Sequence, residues 1–124
     1  MNRPAATTVL LVDDDGAWRA VLERWLQGEG MRGIGLGRGE WIASAIETHR
    51  PDVVLLDIHL PGQDGLQVLE VVRYRWPNLP VIIMTAFGGH ETGDLARRCG
   101  ATGYLEKPFR MADLATELER ATRG

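Results

Sequence analysis

Four acids, a threonine and a lysine stand at the ends of apolar runs. Asp13, Asp14 and Asp15 follow TVLLV (8–12), Asp57 closes VVLLD (53–57), Thr85 closes VIIMT (81–85), and Lys107 follows GYLE (103–106). A carboxylate is costly to take out of water, so an acid at the end of a buried apolar strand marks the place where that strand surfaces. Three carboxylates gathered at one rim repel one another, and a divalent cation relieves the repulsion. With oxygen donors only, and no His or Cys at ligand spacing, the set suits Mg²⁺ over zinc. Lys107 would add a fixed positive charge opposite, and Thr85 a hydroxyl donor. Carboxylates, a hard cation, an ammonium and a hydroxyl are the parts that phosphoryl transfer needs, namely neutralised charge and an oxygen nucleophile. On this reading the metal-free fold is strained by its own acids, and neutralising Asp13 is expected to stabilise it.

Composition singles out one member of the set. Of the 14 basic residues, 13 are Arg and Lys107 is the sole Lys. A compact, mobile ammonium does a different job from a planar guanidinium.

The elements that must position these residues follow from periodicity. Residues 8–12, 53–57, 81–85 and 103–106 read as strands, the first three as continuous apolar runs buried on both faces. Residues 31–36 (MRGIGL) read as a weaker strand, whose glycines an edge position would tolerate. Between them lie helical blocks. Trp18, Val21, Leu22, Trp25 and Leu26 have helical spacing, followed by 40–49, 66–75, 91–99 and 111–122. Asp15 reads as the cap of the first helix. Trp18 and Trp25 read as core anchors, and Trp41 as a residue of an exposed partner surface. Strands alternating with helices mean βαβ units and a doubly wound parallel sheet with helices on both faces. Ligands bind such sheets beyond the carboxyl ends of the strands, where Asp13, Asp14, Asp57, Thr85 and Lys107 collect. The run GIGLGRG (33–39) fails the G-x-G-x-x-G register of a nucleotide loop, because Arg38 and Glu40 break it.

The segments LLVDDD (10–15), LLDIHLPGQDGL (55–66), MTAF (84–87) and GATGYLEKPF (100–109), in this order and spacing, resemble the receiver domain of bacterial two-component response regulators. The resemblance covers essentially the whole chain. It implies a flavodoxin-like α/β fold of five parallel strands in the order 2-1-3-4-5 with five helices. It implies that Asp57 is the phosphoacceptor. Asp13 and Asp14 would form the acidic Mg²⁺ pocket with Asp57, Asp14 binding directly and Asp13 mostly through water. The main-chain carbonyl of His59 would complete the protein ligands, and Mn²⁺ could replace Mg²⁺. Thr85 and Tyr104 would be the switch pair, with Ala86 and Lys107 also at the phosphoryl group and Lys107-Pro108 a cis peptide. His59 and Phe87 stand at variable positions flanking the site. The chain would then be a phosphoacceptor that assists its own phosphorylation and dephosphorylation, not an enzyme with an outside substrate. Its partners would be a sensor histidine kinase or histidine phosphotransfer protein, a downstream effector protein or effector domain outside this chain, and a second copy in a phosphorylation-dependent homodimer.

Other functions stand beside this one. A pseudo-receiver module would work without phosphorylation, but loss of an acid, Asp57 or Lys107 would mark it, and none is lost. A dehalogenase-like phosphatase also uses a strand-end Asp, but it needs an acid two residues later, where this chain has His59. The 124 residues suit a single domain over 1–124, with 1–7 a flexible lead. The net charge of −3 gives no reason to expect nucleic acid or a membrane surface as a partner. One cysteine, Cys99, fits a reducing compartment, and MNRPAATT lacks the apolar core of a signal peptide, so the expected location is the cytoplasm.

Overall fold

The computed structural model describes residues 6–86 and 89–123. Most of the expected lead over 1–7, and Phe87, lie outside the described residues. Strand β1 is Thr8–Val12, β2 Arg32–Leu36, β3 Val53–Asp57, β4 Val81–Thr85 and β5 Gly103–Glu106. The helices are α1 Gly16–Gly28, α2 Ile42–His49, α3 Gly65–Arg75, α4 His90–Arg98 and α5 Met111–Thr122. All neighbouring strands are parallel, in the order β2-β1-β3-β4-β5, which is the expected doubly wound sheet. The chain builds outward from β1 to β2 and then returns to add β3 on the other side. That reversal makes β1 and β3 hydrogen-bonded neighbours and puts the acids after β1 beside Asp57.

The apolar runs work because each strand is covered twice. Leu10, Val12, Val54, Leu56, Val81 and Ile83 pack with Ile42, Ile46, Leu69 and Val72 of α2 and α3. The alternate residues Val9, Leu11, Val53, Leu55, Ile82 and Met84 pack with Leu22, Leu26, Leu114 and Leu118 of α1 and α5. α4 contributes much less, since its buried residues among those described are Gly93 and Ala96. Trp18 and Trp25 are partly buried against the α1–α5 side, as expected of anchors, and Trp41 is 56% exposed.

The elements differ from expectation only at their ends. Residues 39–41 form a single 3-10 turn before α2, a common way to enter a helix and one that hydrophobic periodicity does not distinguish from it. Arg50 closes α2 in the left-handed region with φ 46°, and Pro51 follows. Asp15 caps α1 by accepting from the Trp18 N–H at 3.1 Å, and Asp64 caps α3 through the Leu66 N–H at 3.0 Å.

The loop between Asp57 and α3 is closed on itself. The Gly65 N–H donates to the Ile58 carbonyl at 3.2 Å, so the helix starts in contact with the segment leaving the strand. A Cβ at Gly65 would overlap the Ile58 Cα and lie 2.7 Å from its carbonyl carbon, whereas one at Gly28 would meet nothing within 4 Å. Gly65→Ala should therefore cost about 1–3 kcal/mol in urea unfolding, as overpacking does. Gly28→Ala should cost nothing. Equal unfolding midpoints for wild type and Gly65→Ala would show that this close approach constrains nothing.

Candidate functional site

Asp13 follows β1 directly, Asp57 ends β3, and Lys107 follows β5 directly. The fold brings the three together. The Lys107 ammonium donates to Asp13 Oδ2 at 2.6 Å and to Asp57 Oδ2 at 3.0 Å. Both acids are almost fully buried, and the lysine side chain keeps 19% of its exposure. Burial alone would lower the lysine pKa; the hydrogen bonds and charges of Asp13 and Asp57 outweigh it and hold the ammonium above the usual lysine range.

The remaining carboxylate oxygens are also engaged. Asp13 Oδ1 accepts the Asp15 N–H at 2.9 Å, and Asp57 Oδ1 accepts the His59 N–H at 2.8 Å. Asp14 differs. It is exposed and takes no side-chain hydrogen bond or ion pair among the described residues. Asp13, Asp14 and Asp57 each offer a carboxylate oxygen within 4.8 Å of the others. Three anionic oxygens so close, with one side open to solvent at Asp14, fit a hard divalent cation and offer nothing a soft metal would prefer.

The other expected site residues fall around this cluster. Thr85 is fully buried at the end of β4, and its carbonyl accepts the Lys107 N–H at 2.7 Å, which ties the lysine's backbone to the neighbouring strand. Ala86 is exposed. Tyr104 is half-buried beside the residues under α4, and its hydroxyl oxygen is buried with no hydrogen-bond partner of good geometry among the described residues. Burial pushes its pKa up, against a smaller opposing effect of the Gly89 backbone. Lys107-Pro108 is cis. His59 is exposed beside Asp57. Cys99 is half-buried, with its thiol pKa pushed up by burial and then by Glu70 and Asp64, and it plays no part at this rim.

The geometry adds a distinction between the acids. Asp13 shares the Lys107 ammonium with Asp57, which offsets part of the repulsion, whereas Asp14 has no such ion pair among the described residues. Sequence reading passed over Arg19 on α1, whose Nη1 donates to the Asp13 main-chain carbonyl. A side chain bonded to a backbone oxygen leaves no signature in residue types.

The family model described as response regulator receiver domain matches residues 9–119. The chain is 42% identical over 113 residues to the DNA-binding transcriptional regulator NtrC of Salmonella typhimurium, covering 91% of this chain and 24% of that protein. It is 36% identical over 119 residues to the response regulator protein FleR of Pseudomonas aeruginosa, covering 96% of this chain and 25% of that one. It thus spans about a quarter of the length of these curated relatives. The crystal structure of the BeF3-activated N-terminal receiver domain of Klebsiella pneumoniae RstA superposes with a TM-score of 0.90 at 28% identity, covering 95% of this chain and all of that one.

In metal-free buffer, Asp14→Asn should melt above wild type, because it removes a carboxylate with no cation partner. Asp13→Asn should melt below Asp14→Asn, because it also forfeits the lysine. Calorimetry that ranked the two variants the other way would overturn this division between the acids.

Proposed function

The chain belongs to the response regulator receiver domain family, and on that premise we propose that it accepts a phosphoryl group on Asp57 and passes the event to a protein-binding surface. The observation that carries this reading is the Lys107 ammonium held between Asp13 and Asp57, with Asp14 completing a three-carboxylate cluster.

A phosphohistidine of a sensor kinase or phosphotransfer protein is the donor. Its P–N bond breaks as a P–O bond forms to an Asp57 carboxylate oxygen, and the departing imidazole takes up a proton. Asp13, Asp14, Asp57 and the His59 main-chain carbonyl would hold Mg²⁺ or Mn²⁺, which supplies positive charge against the phosphoryl oxygens. Asp57 is suited to attack because the fold presents its carboxylate at the strand end, hydrogen-bonded to the Lys107 ammonium although it is only 5% exposed. The chain supplies both the nucleophile and the metal pocket, so it assists its own phosphorylation and later hydrolysis.

Once Asp57 is phosphorylated, as a mixed anhydride, its Oδ2 no longer needs Lys107, and the ammonium moves to a phosphoryl oxygen. The buried Thr85 hydroxyl follows, with the backbone beside Ala86 contacting the same group. Movement of Thr85 opens room next to Tyr104. The hydroxyl of Tyr104, buried with no partner of good geometry beyond a weak approach to the Gly89 backbone, gains by relocating. α4 and β5 then present a changed face to an effector or to a second copy of the chain. Regulation of transcription, the output named for NtrC, is the class of output inferred here, exerted in the cytoplasm. No helix among the described residues is long and apolar enough to cross a membrane.

The test uses acetyl phosphate and Mg²⁺ with intact-mass detection. Wild type should gain one acid-labile phosphoryl group, and Asp57→Asn should gain none. Equal labelling of both proteins would remove Asp57 from this role.

A further inference from the structure

The glycines of the second strand have a use that their reading as weak strand formers misses. Gly33 and Gly35 share one face of β2, and Gly37 continues their line past its end. The other face carries Ile34 and Leu36, which pack toward α2 and α3. α1 lies over the glycine side. A Cβ at Gly33 would sit 3.1 Å from Leu26 Cδ1. One at Gly35 would collide with Glu23 Oε1 and reach within 3.4 Å of Arg19 Cδ, and one at Gly37 would sit 3.1 Å from Arg19 Nη1. Arg19, Glu23 and Leu26 are spaced along a single helix face, so three side chains of α1 lie flat on a strip that has none.

Arg19 uses the strip to reach the site. Its Nη1 donates to the main-chain carbonyl of Asp13, whose peptide leads directly into Asp14. The Asp13 N–H meanwhile donates to the Leu36 carbonyl at 3.0 Å, one residue before Gly37. The peptide between the two acids is therefore fixed from α1, through a channel that the glycines keep open.

We propose that Arg19 is a positioning residue for the acidic pocket, and that Gly37 leaves room for its guanidinium and Gly35 for its aliphatic stem and for Glu23 beside it. The bond sets the plane of the Asp13–Asp14 peptide, and with it the direction in which the Asp14 carboxylate leaves the chain. This rests on the reading of Asp13, Asp14 and Asp57 as the Mg²⁺ ligands. It predicts coupling between residues that are distant in sequence and have no direct part in binding the ion.

Mg²⁺ affinity measured by calorimetric titration, together with amide shifts of the metal-free protein, provides the test. Arg19→Ala should weaken Mg²⁺ binding about tenfold, the scale on which groups behind metal ligands act, and should shift the Asp14 and Asp15 amides before any metal is added. Gly37→Ala, which keeps the arginine but crowds it, should weaken binding in the same direction. The same glycine change made on Arg19→Ala should add nothing further, because the two act through one contact. Arg19→Lys, still able to donate once, should recover part of the loss. Arg19→Ala that binds Mg²⁺ as wild type does, or Gly37→Ala that weakens binding equally with and without Arg19, would overturn the proposal. Asp14→Asn separates the two levels. If it loses Mg²⁺ while Arg19→Ala keeps it, the positioning role alone fails; if it binds as wild type does, the metal reading beneath it fails.

Discussion

A single ammonium shared by two buried carboxylates is the constraint around which this rim is organised. Asp13 and Asp57 arrive on adjacent strands because the sheet reverses its build direction between them, and Lys107 arrives from the far edge, after β5. Both acids are almost fully buried, and each finds its partners within the fold, with hydrogen bonds to the shared ammonium at 2.6 and 3.0 Å and the other carboxylate oxygens satisfied by backbone N–H groups. A phosphoryl group joined to Asp57 as a mixed anhydride would remove one of the lysine's two anionic partners. The local electrostatic balance is thereby tied directly to the chemical state of one oxygen.

The acids divide their roles by how tightly they are held. Each polar atom of Asp13 has a partner: its N–H meets Leu36, its carbonyl Arg19, and its carboxylate oxygens the Asp15 N–H and Lys107. Asp14, one residue on, is exposed and takes no such bonds among the described residues. The two acids thus differ in how many contacts hold them, although both belong to the same three-carboxylate cluster.

Most of the frame was legible because parallel sheets buried on both faces write themselves as unbroken apolar runs. VVLLD and VIIMT match β3 and β4 residue for residue, and the polar residue closing each run sits at the carboxyl rim of the sheet. The entry to α2 was misplaced because a 3-10 turn and a first α-turn bury the same residues. Lys107 could be singled out by composition, but its partners could not, since a count of charges carries no distances. The glycines at 33 and 35 were read as softness. Periodicity registers a missing side chain and says nothing of what lies in the space, here the side chains of Arg19 and Glu23.

The five helices are not keyed to the sheet equally. α1, α3 and α5 each drive two large side chains into the interior: Leu22 and Leu26, Leu69 and Val72, and Leu114 and Leu118. α4 rests on Gly93 and Ala96, with Tyr104 passing beside the glycine. Withdrawing a leucine from a core leaves a void whose cost grows with its volume, and that cost locks a helix in place. A methyl group and a bare backbone leave almost none. Among its described residues α4 is thus seated as a lid rests on a rim, by surfaces that touch without interlocking.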